Sequence, residues 1–406
     1  MAQKGFIYKS RGSWFLKFRD DVIENGQIVR KQQCKKLAPV CDGYRTEKDL
    51  HGLRDEILGP INSGKVRPES TLSVADFAEG NWLPWARENC KPSTVAGYET
   101  LWNAYLAPYL KEISLRDFRT VDAANLFKEI HRNHKIGRTT LQHCKSRLSG
   151  IFTLARNQGA LDAPNPIQGS LIPKKAAAPA NTHAATPEEV MAILEILRKA
   201  GEWKARAAVA LMFFAGLRPG EARGICWEHY DGKRLFVTQS VWHKFTTDPK
   251  TLDAASPVPV IETLAVILSD LRERDGNPAT GPILRGPSGK PMILDNLSKR
   301  VVIPALKQCA LCGEQELEHG EADHEFKLDE SIPKWAGWYS LRRGVATTLA
   351  GLTKDGMASK GLLRHTNLAT TTRHYVKDVP ENTLSAMNLL EMLFNECSTA
   401  GTTRPS

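Results

Sequence analysis

Arg342, Arg343, His365 and Tyr375 fall within one short stretch of the chain, which reads Tyr339-Ser340-Leu341-Arg342-Arg343, then Arg364-His365, then Thr371-Thr372-Arg373-His374-Tyr375. Leu341, Val345 and Leu349 recur at helical spacing, and Arg342 has Val345, Ala346 and Leu349 at i+3, i+4 and i+7, which predicts that it points inward. A guanidinium cannot shed its proton there, so it needs an anion: a carboxylate of the protein, in an ordinary buried ion pair, or a phosphate from outside. Glycines at 351 and 356 break the helix, and His365 and Tyr375 then stand ten residues apart across the Thr-rich turn Thr370–Thr372. One compact segment thus offers a cationic fork, an imidazole and a phenol, with no tyrosine after the last.

The elements that must hold this stretch begin near residue 183. Thr186 is a helix cap, Pro187 takes the first helical position, Glu188 and Glu189 fill the first turn, and Val190, Ile193, Leu194 and Leu197 form the apolar stripe. A second helix through Ala215 ends at Gly216-Leu217-Arg218-Pro219-Gly220-Glu221-Ala222. Pro219 is suited to start the next helix, so Arg218 becomes its cap residue, at a terminus whose backbone N–H groups favour a phosphate. Leu235–Thr238 and Val258–Val260 read as strands joined by a polar hairpin that carries Lys244, Lys250 and Thr251; a hairpin lysine by itself is ordinarily just solvated. Gly286–Lys290 is a turn and not a phosphate-binding Walker loop, since its glycine spacing is wrong. Leu384–Phe394 forms a last apolar helix, followed by a frayed tail over 396–406.

The front of the chain has a different character. Over residues 1–70, Phe6–Lys9, Trp14–Arg19 and Ile28–Lys31 read as three short strands, followed by a helical pattern from Thr46 to Leu58. Trp14, Lys17 and Arg19 interleave aromatic and basic side chains, as in sheets laid into a DNA groove; the plainer reading is a solvated basic face. Residues 71–175 carry helical stripes (Val74, Phe77 and Trp82; Val95, Tyr98 and Leu101, capped at Ser93; Leu141, Leu148 and Ile151). Within them Arg138 and Thr139 open a helix that bears Lys145 and Arg147, either a phosphate-binding start or an exposed face. Ser170–His183, rich in Pro, Ala and Lys, reads as a linker to a third region over 183–395.

A chain of 406 residues has room for two or three domains. Lysines and arginines exceed acidic residues by 55 − 45 = 10, which points to a polyanionic partner. No secretory apolar region opens the sequence, and the longest apolar run, Ala207–Leu217, is too short to span a bilayer, so a membrane role is not expected and the cytoplasm, at the nucleoid, is. The eight cysteines are mostly scattered, as in a reducing compartment. Cys309-x2-Cys312-x6-His319-x4-His324 is the exception: two thiolates and two imidazoles are the right set for a structural tetrahedral zinc, with an acidic mobile loop as the alternative.

The motifs quoted resemble those of the tyrosine recombinase (phage integrase) family: Gly216-Leu217-Arg218 with Glu221, then the His-x-Leu-Arg-Arg pattern at Tyr339–Arg343, Gly-His at Arg364-His365, and Thr-Thr-x-x-Tyr at Thr371–Tyr375. Two departures stand out. Tyr339 replaces the usual histidine, and His365 to Tyr375 is one residue longer than usual, with His374 in the expected tyrosine position. The resemblance implies a mainly α fold with small β-sheets (α+β), made of an N-terminal three-stranded arm-binding domain, a helical core-binding (SAM-like) domain and a mixed, mostly helical catalytic domain. It implies site-specific DNA cleavage and rejoining through a 3′-phosphotyrosine, for integration or excision of a mobile element. Arg218 and Arg342 would hold the phosphate, Glu221 would orient arginine, Tyr375 would attack, Lys250 (or Lys244) would protonate the leaving oxygen, and His365 and Tyr339 would hydrogen-bond the phosphate. No cofactor is required for that chemistry. Double-stranded DNA attachment sites, a homo-tetramer on DNA and accessory DNA-bending or directionality factors are the partners implied. A type IB topoisomerase-like enzyme or a catalytically degenerate DNA-binding protein are the alternatives.

Overall fold

The computed structural model describes residues 2–24, 26–64, 67–177, 182–248, 257–321, 323–353, 356–364 and 381–400. They divide into two compact units, Met1–Ala180 and Asn181–Ser406. His365 and Tyr375, with Lys250 and the 401–406 part of the tail, lie outside the described residues.

The first unit opens with an antiparallel sheet of β1 (Phe6–Ser10), β2 (Ser13–Glu24) and β3 (Gln27–Pro39), paired in that order. Strict alternation sorts its faces. Ile7, Leu16 and Phe18 turn inward with Ala38 to meet Leu50 and Leu58, the latter on α1 (His51–Asn62). On the opposite face Tyr8 pairs with Phe15 and Phe6 with Lys17. The strands are longer than the alternation of apolar residues predicts, because β3 is exposed along most of its length and is held by its ladder to β2 rather than by a core.

The helical remainder of this unit runs through α2 (Leu83–Asn89), α3 (Pro92–Leu101), α4 (Thr120–His134) and α5 (Arg138–Asn157). Its core joins Phe77, Trp82, Trp102, Phe118, Phe127 and Phe152. The expected cap at Ser93 moves back: Pro92 takes the first helical position of α3 and Lys91 the cap, since proline's fixed φ suits that site. Sheet and helices are joined by ion pairs. Buried Asp20 on β2 meets Arg116 at 2.5 Å, and Lys35 on β3 meets Asp117 at 2.5 Å. The boundary expected near residue 70 therefore falls inside one compact unit.

The second unit is built around α7 (Trp203–Phe214), whose residues from Ala207 to Phe214 are all fully buried. Against it pack α6 (Pro187–Lys199), α8 (Pro219–Gly224), α9 (Glu262–Arg274) and α10 (Trp338–Thr353). Thr186 caps α6 as predicted, accepting from the Glu189 N–H while the Glu189 carboxylate accepts from the Thr186 N–H at 2.8 Å. After α10 come α11 (Gly356–Leu363) and α12 (Glu381–Ala400), whose Phe394 packs on Phe213 and Phe214. The predicted strand at 235–238 shortens to β4 (Arg234–Leu235), paired with β7 (Val258–Pro259). Between them a separate hairpin, β5 (Ser240–Trp242) and β6 (Phe245–Thr247), turns at His243-Lys244.

One close approach seats α10. A Cβ on Gly344 would lie 2.1 Å from the Ala185 carbonyl oxygen, and the Ala185 N–H already donates to the Ser340 carbonyl at 3.0 Å. The entry to α6 is thus laid along one face of α10. Gly344→Ala forces backbone apart from backbone, and overpacking of this kind costs about 1–3 kcal/mol or more. Denaturant unfolding of the variant should show a lowered midpoint with an unchanged slope, whereas an unaltered midpoint would mean that the segment yields freely.

Candidate active site

Glu221 is the residue on which the site is assembled. It sits on α8, is 3% exposed, and is split between two arginines. Its Oε1 accepts from Arg218 Nη1 at 2.7 Å; its Oε2 accepts from the Arg218 backbone N–H at 2.9 Å and from Arg364 Nη2 at 2.7 Å. Arg218 is the cap of α8, with Pro219 in the first helical position, as the sequence predicts. The helix is only a turn and a half long, its first residue Pro219 has no N–H and the cap residue's own N–H is taken by Glu221, so the attraction for an anion resides in the guanidiniums.

Arg342 reaches the same place from α10. It is 5% exposed, as its helical spacing predicts, with Leu341, Val345 and Leu349 fully buried beside it. One Nη donates to the carbonyl of Gly216, two residues before Arg218, and the other donates at 2.6 Å to the carbonyl of Leu363, directly before Arg364. Arg342 is thereby held to the backbone that precedes the two other arginines. Tyr339 stands on the first turn of α10, 55% exposed, and contributes to the electrostatic surroundings of Arg342.

The cluster is rich in positive charge. Arg218, Arg342 and Arg364 against Glu221 leave 3 − 1 = 2 positive charges among these four side chains. Burial, followed by the neighbouring Arg218, pushes the Arg342 guanidinium down to about 9, still charged at neutral pH. Burial also lowers Arg364, opposed by Glu221. For Glu221, burial acts upward, but Arg364 and then Arg218 overcome it and hold the carboxyl below its usual value. A phosphate is the ligand whose charge and geometry suit such a cluster.

Arg364 is the site residue that sequence reasoning does not single out. It occupies the slot where the resembling motif has glycine, and its φ of 53° explains that preference, since the left-handed region suits glycine. The arginine accepts the strained backbone and turns its buried side chain onto Glu221. Arg223 is a second such residue: it donates to the carbonyls of Met292, Val241 and His243 at 2.7, 3.1 and 3.0 Å. Those bonds fix the β5–β6 hairpin and, at its turn, Lys244. Nothing in the sequence distinguishes Arg223 from a surface arginine.

The residues assigned to DNA contacts divide. Lys17 and Arg19 are exposed on β2, Lys17 lying 5.0 Å over the Tyr8 ring, and Tyr8 stacks on Phe6 and Phe15. Trp14 turns toward the core, its indole N–H donating to the Tyr44 carbonyl at 2.9 Å. Arg138 and Thr139 are exposed at the start of α5, although the Arg138 N–H is already bound to the Ala177 carbonyl at 3.0 Å. Lys145 donates to the carbonyl of Ser170, and the Arg147 guanidinium lies 4.2 Å over Tyr98, which stacks on Trp82. Lys145, Arg147 and Trp14 thus serve contacts within the unit. Cys309, Cys312, His319 and His324 come together, their donor atoms all within 4.8 Å of one another.

Known proteins match this arrangement at several levels. Residues 75–131 match the phage integrase N-terminal SAM-like domain. A tyrosine recombinase XerC-like protein of Caldanaerobacter subterraneus subsp. tengcongensis is 24% identical over 398 residues, covering 91% of this chain and 94% of its own. These matches agree with the resemblance of the motifs to the tyrosine recombinase (phage integrase) family. The fold of the chain is similar to that of the Tn1549 transposon integrase in complex with transposon right end DNA, with a TM-score of 0.57 at 16% identity over 79% of this chain and 100% of that one. It is similar as well to a lambda integrase dimer bound to a core site, with a TM-score of 0.51 at 17% identity over 92% and 97%. The mainly helical architecture with small antiparallel sheets agrees with the expected fold. Among the described residues, no helix is long and apolar enough to cross a membrane.

Removing the Glu221 charge tests this assembly. Glu221→Gln leaves Arg364 buried without its carboxylate and takes the same partner from Arg218, and breaking a buried pair from one side costs about 3–5 kcal/mol. The sign of the pH dependence follows from the depressed carboxyl. Its contribution is complete above the ordinary glutamate value of about 4.3 and is lost as pH falls through the lower folded value. Urea unfolding of both proteins should show the stability gap at neutral pH and its narrowing on acidification; a gap independent of pH would contradict the ion-pair account.

Proposed function

We propose that this protein is a tyrosine recombinase that cuts and rejoins DNA at defined attachment sites through a 3′-phosphotyrosine, integrating or excising a mobile element. The observation that carries the reading is the convergence of Arg218 and Arg342, from distant parts of the chain, around one buried carboxylate. Displacement at phosphorus spreads negative charge over the non-bridging oxygens, and two planar guanidiniums oppose that charge most strongly in the transition state. Tyr375 attacks the phosphorus and displaces the 5′ oxygen, conserving the bond energy in the phosphotyrosine so that no nucleotide or metal is consumed. Lys250 supplies the proton to the departing oxygen, with Lys244 as the other candidate. His365 and Tyr339 hydrogen-bond the phosphate. Tyr339 in the histidine slot acts as a donor, because a phenol with a pKa of about 10 is a poor proton acceptor at neutral pH.

The exposed face of the N-terminal sheet, with Phe6, Tyr8, Lys17 and Arg19, reads DNA at arm-type sites, while the start of α5 meets core DNA through Arg138 and Thr139. A homo-tetramer on DNA is the working assembly; the similar lambda integrase has been seen as a tetramer bound to a Holliday junction. The cytoplasm, at the nucleoid, is the place of action, with DNA-bending or directionality factors as further partners.

A nicked suicide duplex drawn from the DNA flanking the gene should trap a covalent adduct that survives detergent. Tyr375→Phe abolishes the adduct, and Arg218→Ala or Arg342→Ala slows it by about 100-fold to 1,000-fold, the usual cost of one lost transition-state donor. Tyr339→Phe retains substantial cleavage. Lys250→Ala slows cleavage by about 100-fold to 10,000-fold, and a 5′-bridging phosphorothiolate, whose sulfur leaves without a proton, restores the rate. Absence of any adduct with wild-type protein on its flanking DNA would support the degenerate DNA-binding alternative instead.

A further inference from the structure

The cysteine and histidine cluster between the Ile303–Leu306 turn and α10 is not used by the strand-transfer chemistry. Its first half is a tight hairpin. The Cys309 N–H donates to the Glu314 carbonyl at 2.8 Å, the Gly313 N–H donates back to the Cys309 carbonyl at 2.8 Å, and Gln308 bridges Gln315. Gly313 has a φ of +76°, the left-handed turn that brings Cys312 back beside Cys309. The second half returns along the first: the Ala310 N–H donates to the Lys327 carbonyl at 2.7 Å, the Asp329 N–H to the Gln308 carbonyl at 2.9 Å, and Cys309 bridges Leu328. This return carries His319, 7% exposed and edge-on to Phe326, and His324.

The donor atoms are spaced for a metal. His319 Nε2 lies 3.2 Å from His324 Nε2, and Cys309 Sγ lies 3.3 Å from that same nitrogen. A tetrahedral zinc with bonds of about 2.0 Å to nitrogen and 2.3 Å to sulfur has edges of about 3.3 to 3.8 Å. Hydrogen bonding alone fits poorly, because the neutral ring nitrogen of His324 has either one proton or one lone pair and here faces two partners. A cation at the centre satisfies all of them together. The segment also lacks a core of its own: Leu311 is 66% and Leu317 82% exposed, while Cys309 and His319 are the side chains turned in.

We propose that Cys309, Cys312, His319 and His324 bind one zinc ion per chain, and that this ion staples residues 307–329 and so sets the path by which the chain enters α10. All four coordination positions come from protein side chains, which leaves none for substrate and makes the role structural. The stapled return leads directly to Trp335 and Trp338, which meet edge to face at 4.8 Å; the Trp338 indole N–H donates to the Leu294 carbonyl at 3.0 Å. Tyr339 and Arg342 follow within one turn. The proposal stands whether or not the strand-transfer reading holds, since its readout is metal content.

Untagged full-length protein, expressed with zinc supplied, is analysed for metal by mass spectrometry and then exchanged with cobalt. One equivalent of zinc per chain is expected, with a cobalt spectrum showing thiolate charge-transfer bands and tetrahedral d–d bands. Cys312→Ser, at an exposed position, should lower zinc retention at least tenfold after dialysis against a mild chelator, and should lower the melting temperature by several degrees. His319→Cys, which offers three thiolates and one imidazole, should keep the metal and intensify the charge-transfer bands. Less than a tenth of an equivalent of zinc in the wild type, or equal retention in Cys312→Ser, overturns the proposal, as does a cobalt spectrum without thiolate bands.

Discussion

A carboxylate removed from water between two guanidiniums governs the second unit. Glu221 cannot be ionised at such depth without partners, and its partners cannot be buried without it. Meeting both conditions draws the cap of α8 and the end of α11 to one point, and the backbone at each of those places then receives Arg342 from α10. The rest of the unit, from the fully buried α7 to the glycine that lets α6 lie against α10, serves to bring these termini together.

The electrostatic balance of this arrangement suits a transient ligand. Carbonyl oxygens and the Glu221 carboxylate keep the guanidiniums in place, and burial holds Arg342 and Arg364 below their ordinary basicity. A phosphodiester entering such a site gains charge stabilisation without any prior rearrangement, which is the condition for stabilising a transition state more than a ground state. The chain's excess of basic residues provides the long-range attraction that brings a polyanion near.

What the sequence discloses and what it conceals follow physical lines. Local rules act through neighbours in the chain, so the Thr186-Pro187 and Arg218-Pro219 helix starts, the inward side of Arg342 and the three strands at the front of the chain were all legible. Tertiary choices were not. Beyond the expected Ile28–Lys31, β3 carries mostly charged and polar residues with no strand alternation, and its pairing with β2 extends it to Pro39. Trp14, Lys145 and Arg147 have side chains equally fit for DNA or for a nearby carbonyl or ring, and composition cannot say which of these lies within reach. Arg223 satisfies three carbonyls that are scattered along the sequence, a relation no window of residues contains.

The left-handed backbone at Arg364 has an evolutionary consequence. Restoring glycine there would relax a conformation that costs an L-residue about 1–2 kcal/mol, yet it would strip one oxygen of Glu221 of its cation. Either change made alone trades one penalty for another, whereas paired changes at 221 and 364 can compensate, as contacting residues commonly do. The two positions should therefore drift through related chains as a couple, with a lone substitution at one of them marking a lineage under repair.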